Sequence, residues 1–120
     1  MTFEEIKNTL NLAADPAQRL ELLMDLGRTL VTPPADAVCT TIAGCASRVE
    51  ICRKDNRFYG TADSALVAGI VAVIVSIVDG RTPEEIRQID IRGLFSGLNL
   101  SLGAGRMNGV DSMIRFLENL

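Results

Sequence analysis

Apolar residues recur at helical spacing near both ends of the chain and alternate with polar ones in between. Phe3, Ile6 and Leu10 predict a first helix, and Thr2-Phe3-Glu4-Glu5 ahead of them reads as a capping box. Asp15-Pro16 starts a second helix, with Asp15 as N-cap and Pro16 at the first helical position. Leu20, Leu23, Met24 and Leu30 carry its apolar side, Gly27 is expected to loosen its last turn, and Pro33-Pro34 ends it. From Ala37 the period falls to two: Val38, Thr40 and Ile42 point one way, Cys39 and Thr41 the other. Beyond a small-residue tip at Gly44–Ser47, Val49 and Ile51 alternate with Arg48, Glu50 and Cys52. Asp55-Asn56 makes a turn into a third short strand over Phe58–Thr61. Three strands with short connections predict an antiparallel meander whose apolar face is covered by helices.

The stretch Ala65–Val78 holds fourteen residues without a charge. A membrane-spanning helix needs roughly 20 apolar residues, so this segment is expected to be a buried core helix. Asp63 is the expected cap and Asp79-Gly80 the stop. Thr82-Pro83-Glu84-Glu85 is another capping box, and Ile91–Leu98 a short helix ended by Asn99. Gly103-Ala104-Gly105 is a break before a closing helix, Arg106–Leu120, with Val110, Met113, Ile114 and Leu117 inward. With no repeat and no linker, the pattern predicts one domain over 1–120, of α+β class: a small three-stranded antiparallel sheet with helices packed on one face.

Composition narrows the function. Hydrophobic residues make up 48% of the 120, enough for a packed core. A net charge of −3, one tyrosine, four phenylalanines and no tryptophan argue against nucleic acid as a partner, which asks for a basic face or stacking platforms. The opening residues carry no secretory or mitochondrial pattern. Three cysteines in such a chain are expected to be reduced thiols in the cytoplasm.

Cys45 is the residue with candidate chemistry. It sits in Ala43-Gly44-Cys45-Ala46-Ser47-Arg48, a small-residue tip that leaves room for another protein to reach a thiol. There is no histidine in the chain, so no Cys/His pair can form. A thiol acts as a nucleophile only as thiolate, and Arg48 and Arg106 are the nearby cations in sequence able to favour that form. A thiol without a built-in base makes a poor hydrolase and a reasonable acceptor in thiol or persulfide exchange, so the chain reads as a sulfur-transfer partner rather than a stand-alone enzyme. Two other readings stand beside it. Cys45 is a packed core cysteine of an interaction domain, or Cys39, Cys45 and Cys52 bind metal. The spacing C-x5-C-x6-C lacks the tight knuckles of structural zinc sites. Cys39 and Cys52 fit ordinary positions on adjacent strands. Gly105-Arg106-Met107-Asn108-Gly109 reads as a helix start that permits close approach of another segment, with Asn108 available to bond a neighbouring backbone.

The ordered motifs resemble the SufE-like family of sulfur acceptors. Gly44-Cys45-Ala46-Ser47-Arg48-Val49 is similar to its G-C-x-S-x-V signature. Ala62–Gly69 resembles its S-D-A-x-I-V-x-G helix start, Asp79–Ile86 its x-G-x-T-P-x-E-I turn, and Arg106-Met107-Asn108-Gly109 its R-x-N-G. Arg19 and Leu26-Gly27-Arg28 fit its leading R…L-G-K stretch. The chain departs from the family at Glu50, where a bulky apolar residue is frequent, at Ala68, and at Ser101–Gly105, where a histidine and a serine-proline are missing.

The resemblance implies a SufE/NifU-type fold and a definite role. A SufS-like cysteine desulfurase carrying pyridoxal phosphate is the implied partner, and this chain is expected to bind no cofactor or metal of its own. Cys45 is the implied sulfur acceptor, activating the desulfurase and passing sulfur to an iron–sulfur scaffold. Arg106 supports it, orienting the loop or stabilising the thiolate. Gly44, Ala46, Ser47 and Arg48 form the mobile partner-binding loop, whose own apolar side shelters the resting thiol. Asp63 either caps its helix or tunes the loop, and Asn108 and Gly109 complete the site. The alternative in the same metabolism is an IscU/NifU-type iron–sulfur scaffold using Cys39, Cys45 and Cys52.

Overall fold

The computed structural model describes residues 1–120. Six helices and three strands follow in the order α1 (Phe3–Asn11), α2 (Pro16–Gly27), β1 (Val38–Thr41), β2 (Val49–Lys54), β3 (Arg57–Ala62), α3 (Ala65–Val78), α4 (Pro83–Arg87), α5 (Ile91–Ser96) and α6 (Ala104–Glu118). The sheet is an antiparallel meander, β1-β2-β3, as the alternation predicts. Both capping boxes form, at Thr2/Glu5 and at Thr82/Glu85, and Asp15 accepts the Gln18 amide with Pro16 behind it. No helix is long and apolar enough to cross a membrane.

Helix α3 is apolar on every side because it is packed on every side. It lies between β3 and α2, and eight of its residues are buried. The α2–α3 contact is set by glycine: a side chain at Gly69 would collide with the Leu23 backbone, and one at Gly27 with Gly69 itself. Gly27 therefore does not loosen the end of α2; it lets two helices touch. Arg19, a half-buried residue, ties three elements together by donating to the Leu10 and Leu98 carbonyls.

Strand pairing puts Ile51, Arg53, Phe58 and Gly60 on the face toward the helices and Cys39, Cys52 and Tyr59 on the opposite one. Ile51, Phe58 and Gly60 are buried. β1 is different: all four of its residues are exposed, so the edge strand is held mainly by its ladder with β2. Two helix starts and the state of two cysteines differ from the sequence reading. Ser64, not Asp63, caps α3, its hydroxyl accepting the Val67 amide at 3.2 Å. The closing helix begins at Ala104, so Ala104 and Gly105 lie in its first turn rather than before it. Cys39 and Cys52, expected as free thiols, form a disulfide. They stand directly opposite each other in the β1–β2 register with Cα atoms 3.9 Å apart, which aims both sulfurs into one space.

Candidate functional site

The segment Ile42–Arg48 joins β1 to β2 and carries Cys45. Ile42 anchors its start in the core, and the Ile42 amide donates to the Val49 carbonyl at 2.9 Å. Gly44 turns the chain at φ +89°, a conformation costly for any residue with a Cβ. Its missing side chain also leaves room for the Ser112 hydroxyl. The loop's far end is fixed by Asp63. The Asp63 carboxylate accepts the Arg48 amide at 3.1 Å, and the Asp63 amide donates back to the Arg48 carbonyl at 3.3 Å. Asp63 is thus a loop clamp, free for that role because Ser64 performs the capping.

Cys45 is the one free cysteine and is half-buried. Its thiol turns toward α6 and donates to the Gly109 carbonyl across 3.8 Å. A Cβ on Gly109 would stand 3.3 Å from the Cys45 sulfur, so the glycine is what allows the loop to lie this close. The sequence reading of a close approach at Gly109 holds. The shelter, however, is not the apolar side of the cysteine's own loop. It is a cavity of about 400 Å³ walled by Val67 and Ile70 of α3, by Leu102, and by the Gly105, Arg106, Gly109 and Met113 face of α6, with Ala46 and Ser47 closing it from the loop.

Electrostatics in this cavity favour the neutral thiol. Burial pushes the Cys45 thiol up from its ordinary value, and no cation opposes that shift. Arg106 lines the same cavity but its exposed side chain lies at the rim. Arg48 is turned away, paired with Glu50 at 2.8 Å. Neither arginine therefore activates the resting thiol. Gly103, at φ +80°, leaves the start of α6 without a side-chain cap, so the helix's unpaired amides open onto the cavity edge beside Arg106. Asn108 is exposed, and its carbonyl accepts the Ser112 hydroxyl; its side chain does not bond a neighbouring backbone.

The structure does not gather Cys39, Cys45 and Cys52. The first two strands carry the bonded pair on the face away from the helices, whereas Cys45 packs on α6. Three thiolates around one metal ion are thus not available here. The residues missed from the sequence are the cavity walls Val67, Ile70 and Leu102, and Ser112, which packs against Gly44. Helical spacing of Gly105, Gly109 and Met113 marks the α6 wall of the cavity, whereas no sequence signal marks Val67, Ile70 or Leu102 as its other walls.

Comparison with known proteins bears on the family and the fold. The family SufE, described as an Fe-S metabolism associated domain, matches residues 4–120. A solution structure of a hypothetical protein from Thermus thermophilus superposes with a TM-score of 0.75 at 16% identity. The match covers 99% of this chain and 94% of that one, and at this identity it speaks for the fold.

Proposed function

The chain belongs to the SufE family, whose domain is associated with Fe-S metabolism, and from that premise we propose that Cys45 accepts sulfur from the persulfide of a cysteine desulfurase and carries it toward iron–sulfur cluster assembly. The observation that carries this reading is the position of the single free thiol. It sits on a glycine-turned loop, at the edge of a cavity, in a chain without histidine.

The transfer asks little of this chain beyond delivery. On docking, the loop swings about Gly44 and lifts the thiol off the Gly109 carbonyl. Leaving the apolar walls removes the cause of its raised pKa, and the partner's site takes the proton. The Cys45 thiolate attacks the outer sulfur of the desulfurase persulfide. A new S–S bond forms to Cys45, the old one breaks, and its electron pair stays on the desulfurase cysteine as thiolate. The product, Cys45-S-SH, returns to the cavity, where Arg106 and the uncapped amides of α6 stand ready for a sulfur anion. Clearing its cysteine in this way activates the desulfurase, whose pyridoxal phosphate does the carbon–sulfur chemistry. An iron–sulfur scaffold is the receiver.

The test is mass spectrometry after incubation with a SufS-like desulfurase, pyridoxal phosphate and cysteine. One added sulfur, roughly 32 Da, is expected on the peptide holding Cys45, and none in Cys45→Ser. Full stimulation of the desulfurase by Cys45→Ser would overturn the reading.

A further inference from the structure

The Cys39–Cys52 disulfide plays no part in the proposed transfer, and its surroundings give it a role of its own. We propose that this pair is a second thiol site, which exchanges two electrons with a dithiol reductant and thereby sets how freely the strand leading to Cys45 moves.

Three features carry this. First, the bond is open on one side. Cys39 is exposed on the edge strand, whereas Cys52 is fully buried. A dithiol's thiolate can therefore attack the Cys39 sulfur. The S–S bond breaks, Cys52 leaves as thiolate and takes a proton, and the second thiol of the reductant displaces Cys39, closing the reductant's own disulfide. Second, the bond is not needed by the core. Cys52 lies outside the 24-residue apolar cluster, which occupies the other side of the sheet, so reduction leaves that cluster intact. Third, little else holds β1. It contributes no buried side chain, its Val38 is 73% exposed, and the Lys54–Asp36 pair beside it is a solvent-screened surface contact. Cutting the cross-link leaves little beyond backbone hydrogen bonds to keep β1 on β2 up to Ile42, shortly before the turn that presents Cys45.

The site is chemically distinct from Cys45. The Glu50 carboxylate, itself paired with Arg48, lies within 4.8 Å of both sulfurs of the pair, on the sheet face away from the Cys45 cavity.

The experiment needs no desulfurase, so its outcome is separate from that of the sulfur-transfer reading. Purified protein is equilibrated with oxidised or reduced dithiothreitol. Its thiols are counted by mass after alkylation, and the labelling rate of Cys45 is followed by peptide fragmentation. The oxidised protein is expected to show one thiol and the reduced protein three. Reduction should speed Cys45 labelling on the order of tenfold, part of the restraint a cross-link of this loop length typically supplies. The Cys39→Ala/Cys52→Ala variant should label at the fast rate in both buffers. Three thiols under oxidising conditions would overturn the proposal, and so would equal Cys45 labelling rates in the two states of the unmodified protein.

Discussion

The Cys45 thiol and the Gly109 carbonyl face each other across 3.8 Å, joining the loop between β1 and β2 to the second turn of α6. Burial at this contact keeps the Cys45 thiol protonated and sheltered. The geometry suits a thiol that reacts after release from this contact better than one that reacts where it rests.

Gly109→Ala adds a methyl group 3.3 Å from the Cys45 sulfur, tighter than an ordinary contact. The loop, exposed at Gly44 and Ala46, yields more easily than the helix. Cys45 should leave its place on the carbonyl, and its alkylation by iodoacetamide should rise several-fold with a stability loss of about 1 kcal/mol or somewhat more. An unchanged alkylation rate would show that the close approach does not restrain the thiol.

Asp63 and Ser64 are adjacent and do different work, so their alanine variants should separate. Ser64→Ala removes the cap of α3 and should cost about 1 kcal/mol in denaturant unfolding, with Cys45 labelling unchanged. Asp63→Ala removes the acceptor of the Arg48 amide and should speed Cys45 labelling. Asp63→Asn, which keeps a carbonyl oxygen, should restore much of the restraint. Equal labelling in all three variants would remove Asp63 from the loop.

Much of this site was legible in the sequence, and the failures have a common cause. Cys45 on a small-residue tip, glycine at 109 for close approach, and the meander itself follow from local pattern. The disulfide does not, because strand register fixes it. Nothing in Gly44–Ser47 says where the hairpin re-pairs, and a shift of one residue would have separated Cys39 from Cys52. Asp63 and Ser64 are equally good N-caps by residue type, and only the tertiary contact of Asp63 with Arg48 decides between them. The cavity walls come from α3, from Leu102 and from α6, segments distant in sequence from the loop they shelter.

The raised pKa of Cys45 has a sign that can be read in two assays. Burial favours the protonated thiol in the folded protein, so alkylation should reach half its maximal rate at a pH above that of a free cysteine peptide. Folding linkage runs the same way. Below the unfolded pKa both states carry the proton and the group costs nothing. Above it the unfolded chain loses its proton first, so stability should fall until the folded pKa is reached. Cys45→Ser should remove that part of the decline. A decline of equal depth in Cys45→Ser would assign it to other groups.

Arg106 is the strictest test of how the sulfur is held. It lies at the cavity rim without touching the resting thiol, and Cys45's raised pKa shows no contribution from it. Removing it should therefore leave resting alkylation of Cys45 and its pH profile unchanged. On the proposed transfer, its charge acts once an anion occupies the cavity. In Arg106→Ala the sulfur loaded on Cys45 should be lost to solvent reductant several-fold faster, while Arg106→Lys, which keeps a charge without the planar fork, should fall between. Timed mass spectra of the loaded protein measure this directly. If Arg106→Ala changes the resting thiol and leaves the lifetime of the loaded one untouched, the arginine acts on loop packing and the cavity is not the sulfur's resting place.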